Sequence, residues 1–192
     1  MQSFFSLIDN LNGCSGTERA SAEEMVWNRF GVEKAILALD MSHFSLTVRR
    51  DGILSYLGSI RRMHVVTEPI VRASGGEVVK YVADNLMAVF CSTGEAVRCA
   101  VRINQELAGE QPGISVSIGI DFGRFLMIPG KDCYGDPVNV AYKLGEDVAR
   151  SGEILITAAA RERLEPGFPH ALNEQPVSFS GLRIAAYGVS YA

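Results

Sequence analysis

The sequence predicts an α+β domain in which amphipathic helices pack on one face of an antiparallel sheet. Three observations carry that expectation. Short apolar runs of strand length alternate with long stretches whose apolar residues recur every three or four positions. The order of these segments is strand, helix, strand, strand, helix, strand, which is the ferredoxin-like βαββαβ core, followed by accessory strands and helices. The chain has 192 residues, 47% of them hydrophobic and 21% charged. That suits one domain with a substantial core.

Taken in order, residues 1–32 read as an N-terminal extension of unassigned role, and residues 33–192 as the domain proper. Gly13, Ser15 and Gly16 mark a loop. Ser21, with Glu24 three residues on, reads as the capping-box start of a short helix. Residues 35–39 are a buried strand that stops at Asp40. Between Gly52 and Ala73, Ile53, Leu57, Ile60, Met63, Val66 and Ile70 lie on one face of a long helix. Pro69 is expected to kink or break it. Residues 77–83 and 86–90 form a hairpin around an Asp84-Asn85 turn. Ala96, Ala100, Ile103 and Leu107 define a second amphipathic helix. Residues 114–118 alternate as a half-buried strand, and residues 125–128 are expected to return beside it. Gly135-Asp136-Pro137 opens a third helix with Pro137 at its first position. A strand over 153–157, a short helix over 158–164 and a tail from Val177 complete the sheet.

Composition excludes several functions. With 18 basic and 22 acidic residues the net charge is −4, so no basic balance drives general binding to nucleic acid or an anionic membrane. Cys14, Cys91, Cys99 and Cys133 form no CxxC pair. Neither a zinc site nor a disulfide framework is expected, and free thiols suit a cytoplasmic location. No stretch approaches the ~18 apolar residues of a membrane span, and the first residues do not read as a signal peptide. No phosphate-loop, dinucleotide, HExxH or GxSxG motif is present. His43, His64 and His170 have no evident serine or cysteine partner for a nucleophilic triad.

Two carboxylates stand out. Asp40 ends the first strand and Asp84 sits at the hairpin tip. In this fold the first strand lies between its neighbours, so the two ends approach. Such a pair suits hard divalent cations shared with substrate phosphates. The plainer alternative is that Asp40 caps the next segment and Asp84 serves turn chemistry. Lys80 is either a solvated edge lysine or, by strand alternation, a neighbour of Asp84 on one face.

These residues resemble a known family. Leu39-Asp40-Met41-Ser42-His43-Phe44-Ser45 is similar to the first metal motif of class III adenylyl/guanylyl cyclase catalytic domains. Gly75-Gly76-Glu77-Val78-Val79-Lys80-Tyr81-Val82-Ala83-Asp84 resembles their base-reading lysine and second metal segment. Asp132 to Lys143 resembles the third signature, and Gly152 to Thr157 the strand after it. Order and spacing are kept over residues 33–165.

The resemblance implies two divalent ions, Mg²⁺ or Mn²⁺, held by Asp40, Asp84 and the backbone carbonyl of Met41. It implies attack of a ribose 3′-hydroxyl on the α-phosphate, with pyrophosphate leaving. Lys80 can only donate hydrogen bonds and ionised Asp132 can only accept, which fits adenine N1 and N6 and mismatches guanine. ATP is the implied substrate and 3′,5′-cyclic AMP the product. Asn139 would orient the ribose and Lys143 contact the phosphate. The family's sites lie between two chains, which implies a head-to-tail homodimer. Three positions depart from the family. Lys143 replaces the usual arginine and loses its planar fork. Ser180 stands where a triphosphate lysine is usual, with Arg183 a candidate substitute. His43 replaces a glycine. These leave open a catalytically weak or inactive nucleotide-binding or dimerisation domain. A generic ferredoxin-like interaction module is a further alternative. The GGDEF turn of diguanylate cyclases is absent.

Overall fold

The structure, a computed structural model, describes residues 3–42, 44–179 and 182–191, without the side chains of residues 44–47, 179, 182 and 183. His43, Ser180 and the Arg183 side chain lie outside what is described. Eight strands and seven α-helices follow one another as α1 (Phe4–Gly13), α2 (Gly16–Phe30), β1 (Gly31–Met41), α3 (Phe44–Asp51), α4 (Ile53–Ala73), β2 (Glu77–Val82), β3 (Asn85–Phe90), α5 (Thr93–Ala108), β4 (Val116–Ile128), β5 (Asp132–Tyr134), α6 (Asp136–Tyr142), β6 (Ile154–Thr157), α7 (Ala158–Arg161), β7 (Leu172–Phe179) and β8 (Leu182–Val189). A π-helical turn over Lys143–Val148 extends α6. The strands form one sheet in the order β2-β3-β1-β4-β6-β8-β7, with β5 added beside β4. This is the expected α+β architecture with β1 between β3 and β4. The sheet is antiparallel except at β4–β6. Those two strands are joined by a crossover through α6, which requires them to run parallel.

The apolar run of β1 is continuous because both of its faces are covered. Ala35, Leu37 and Leu39 pack with α4 and α5, whereas Ile36 and Ala38 pack with Val138 and Ala141 of α6. Helices therefore lie on both faces, not one. The strands expected over 114–118 and 125–128 are one element. β4 is one continuous strand paired with β1 along its length. Its glycines mark close approach, not a turn: a Cβ on Gly119 would lie 2.1 Å from the Ala141 carbonyl oxygen, and one on Gly123 would lie 2.7 Å from Pro137. The return expected there is made by β5.

Several boundaries move. α2 begins at Gly16, so Ser21 lies within the helix. The boundary expected after residue 32 falls inside β1. The α1–α2 pair packs Phe4, Leu7 and Val26 against Phe30, Leu126 and Ile128. α3 was not anticipated, α7 ends at Arg161, and the tail strands begin at Leu172. α4 runs through Pro69 without a break. Its apolar stripe is rotated at the first turns: Tyr56 is buried, while Ile53 and Leu57 are half exposed. No helix among the described residues is long and apolar enough to cross a membrane.

Candidate active site

The first cluster stands at the end of β1. Asp40 pairs in register with Asn85 of β3 and Ser117 of β4. The hairpin turn falls on Ala83-Asp84, one residue earlier than expected, because Asn85 is drawn into the ladder opposite Val82 and Asp40. Ala83 takes the left-handed conformation at φ 51° to make that turn. The Tyr56 hydroxyl donates to Asp84 Oδ2 at 2.7 Å. The Asn85 side-chain amide donates to Glu146 Oε1 at 2.9 Å, which brings a further carboxylate from the π turn towards Asp40.

Electrostatics follows from this crowding. Asp40 is raised to about 7, first by burial and then by Asp84, Glu146 and Asp147, against a stabilising backbone hydrogen bond from Met41. Every charged group acting on Asp40 is acidic. Burial likewise pushes Glu146 up, with help from Asp147 and opposition from Lys143. Uncompensated oxygen donors of this kind fit a hard divalent cation. Among the described residues no group of three or more His, Cys, Asp or Glu side chains forms a cage for a metal ion. A cation held here would therefore need ligands beyond these carboxylates, such as backbone carbonyl, water or phosphate oxygens.

The second cluster joins β2 to β5. A register shift between Val78 and Lys80 bulges β2, and Lys80 comes opposite Met87. Its ammonium pairs with Asp132 Oδ1 at 2.7 Å, each side chain 27% exposed. The Cys133 backbone N–H donates to the same Asp132 oxygen at 2.9 Å, which fixes the carboxylate. The Cys133 thiol is pushed up to about 12 by burial and by Asp132, so it stays protonated. The alternation that put Lys80 beside Asp84 is thus overridden. Lys80 is bound to Asp132, and Asp84 turns to Tyr56 on α4.

Asn139 and Lys143 stand on α6 and its π extension. Gly135 and Pro137 start that helix, and the Asn139 side chain is on its exposed side. Lys143 Nζ pairs with Asp147 Oδ2 at 2.6 Å, which raises the lysine above its ordinary value. The turn is held tightly on the sheet, since a Cβ on Gly145 would lie 2.9 Å from the Ala38 carbonyl oxygen. The sequence reading missed Tyr56, Asn85, Glu146 and Asp147. Asp147, four residues after Lys143, carried a legible helix-pair signal. Tyr56 carried none, because the apolar spacing favoured its neighbours.

No family model matches the chain. The chain is 31% identical over 134 residues to "Putative adenylate cyclase 3" of Rhizobium meliloti, covering 67% of this chain and 22% of that protein. It is 26% identical over 140 residues to an adenylate cyclase of Streptomyces coelicolor, covering 73% of this chain and 35% of that protein. It therefore spans about a fifth to a third of the length of these relatives. Its fold matches the crystal structure of an adenylate/guanylate cyclase/hydrolase from Silicibacter pomeroyi, with TM-score 0.66 and 27% identity, over 83% of this chain and 96% of that one. The fold is that of a nucleotidyl cyclase catalytic domain. More particularly, the chain is similar to class III adenylyl/guanylyl cyclase catalytic domains.

Proposed function

We propose that this domain is an adenylyl cyclase that converts ATP to 3′,5′-cyclic AMP and pyrophosphate for intracellular signalling. The Lys80–Asp132 pair carries this reading over a guanylyl one. It sets a donor-only cation beside an acceptor-only carboxylate at 2.7 Å, the complement of adenine N1 and N6. A partly exposed pair of this kind is worth only about 0–1 kcal/mol, so the base exchanges into it at little cost. Asp40, Asp84 and the Met41 carbonyl are the residues that would hold two divalent ions, Mg²⁺ or Mn²⁺. Bound there, the ions would lower the pKa of the ribose 3′-hydroxyl and clamp the triphosphate. Asn139 orients the ribose, and Lys143 leaves Asp147 to place its charge on the α-phosphate. The 3′-oxygen bonds to the α-phosphorus, the bond to the bridging oxygen breaks, pyrophosphate leaves and the hydroxyl proton goes to solvent.

The two clusters belong to different sites in this reading. A head-to-tail homodimer lets Asp40 and Asp84 of one chain meet Lys80, Asp132, Asn139 and Lys143 of the other. A cytoplasmic setting, where ATP is abundant, goes with it. A second reading, a weak or inactive nucleotide-binding domain, is favoured by one observation. Lys143 replaces arginine and is already neutralised by Asp147. Incubating the protein with ATP or GTP, each with Mg²⁺ or Mn²⁺, tests the choice. Cyclic AMP from ATP, lost in Asp40→Asn, is the expected result. Metal-dependent ATP binding without any cyclic product would favour the second reading.

A further inference from the structure

We propose that Tyr56 is a positioning residue of the metal half-site: its phenol fixes one oxygen of Asp84 so that the other faces Asp40. The inference deepens the proposed function and rests on its assignment of Asp40 and Asp84 as metal ligands.

The observations converge on the first turn of α4. Tyr56 is 2% exposed, whereas its apolar neighbours Leu54 and Leu57 are 81% and 50% exposed. Tyr56 begins the buried stripe of α4 that continues through Met63, Thr67 and Ile70. Its hydroxyl donates to Asp84 Oδ2 at 2.7 Å, a short charge-assisted bond. The ring sits in the apolar cluster with Met41 and Met63, so packing locks the direction in which the hydroxyl points. The backbone is pinned on either side of Asp84 as well. Ala83 is left-handed, and Asn85 is tied to Glu146. A ligating carboxylate whose second oxygen is held this way is preoriented, and loss of such a partner typically costs 10–100-fold in metal affinity.

Tyr56→Phe keeps the ring and removes only the donor. Mn²⁺ binding to the metal-free full chain, without nucleotide, is read from the electron paramagnetic resonance signal of free Mn²⁺. The expected result is affinity about 10–100-fold weaker than wild type. In an Asp84→Asn background the same change should add nothing, because the bond it removes no longer orients a ligand. Wild-type affinity in Tyr56→Phe overturns the proposal, as does a loss of equal size in the Asp84→Asn background, which marks a general packing effect. Asp40→Asn separates this from the reading beneath it. If Asp40→Asn also binds Mn²⁺ like wild type, the metal site itself is refuted. If Asp40→Asn loses binding while Tyr56→Phe keeps it, only the role of Tyr56 falls.

Discussion

Asp40 gives up its proton less readily than an ordinary aspartate. Burial and three neighbouring carboxylates raise it to about 7 from 3.8, so the folded chain binds that proton more tightly than the unfolded chain does. The stability this contributes is complete below about pH 4 and is lost as pH rises towards 7. Above that pH the ionised side chain destabilises the metal-free fold. Asp40→Asn removes the charge and should stabilise the metal-free protein at pH 8 by about 1–2 kcal/mol after solvent screening. The gain should vanish near pH 4. Urea unfolding at the two pH values measures it, and a variant less stable than wild type at pH 8 would contradict the electrostatics. Added Mn²⁺ should narrow the gap by stabilising wild type alone. Residues of this kind were legible in the sequence where chemistry and position coincide. Asp40 at a strand end and Asp84 in a turn stand out among apolar neighbours. Tyr56 did not, because the apolar spacing put Ile53 and Leu57 on the buried face of α4 in its stead, and its partner lies on another element.

At the scale of elements, the hairpin and α6 set the geometry. The β2–β3 turn delivers Asp84 by holding Ala83 at φ 51°, a conformation that costs a residue with a Cβ about 1–2 kcal/mol. Ala83→Gly should relieve that strain. Set against glycine's greater entropy loss, the net gain should be about 0.5–1 kcal/mol in thermal or urea unfolding. A destabilised variant would mean that the methyl group packs usefully. α6 lies so close to β4 that Gly119 and Gly145 replace side chains at the contact, and its π turn, which carries Lys143, Glu146 and Asp147, lies over β1 and β4. The strands and long helices were legible from periodicity. The extent of β4 was not, because a glycine that admits a helix backbone looks in sequence like one that breaks a strand. The π turn left no local signal either, since i→i+5 bonding follows from the fit of α6 over the sheet.

At the scale of the whole molecule, the proposed function divides one sheet into two half-sites. Asp40 and Asp84 are gathered at the end of β1, and Lys80 with Asp132 at the β2–β5 edge. In the proposed function each cluster of a chain meets one half of an ATP molecule and leaves the other half unmet. The account predicts that a second copy meets it. The most direct measurement mixes two inactive variants, Asp40→Asn and Lys80→Met, and follows cyclic AMP formation from ATP. Each variant alone should be inactive. Random two-fold pairing leaves one intact site in about half of the dimers, so the mixture should recover about a quarter of wild-type activity. A mixture that stays inactive although both variants fold and exchange subunits, or either variant active alone, would contradict the shared site.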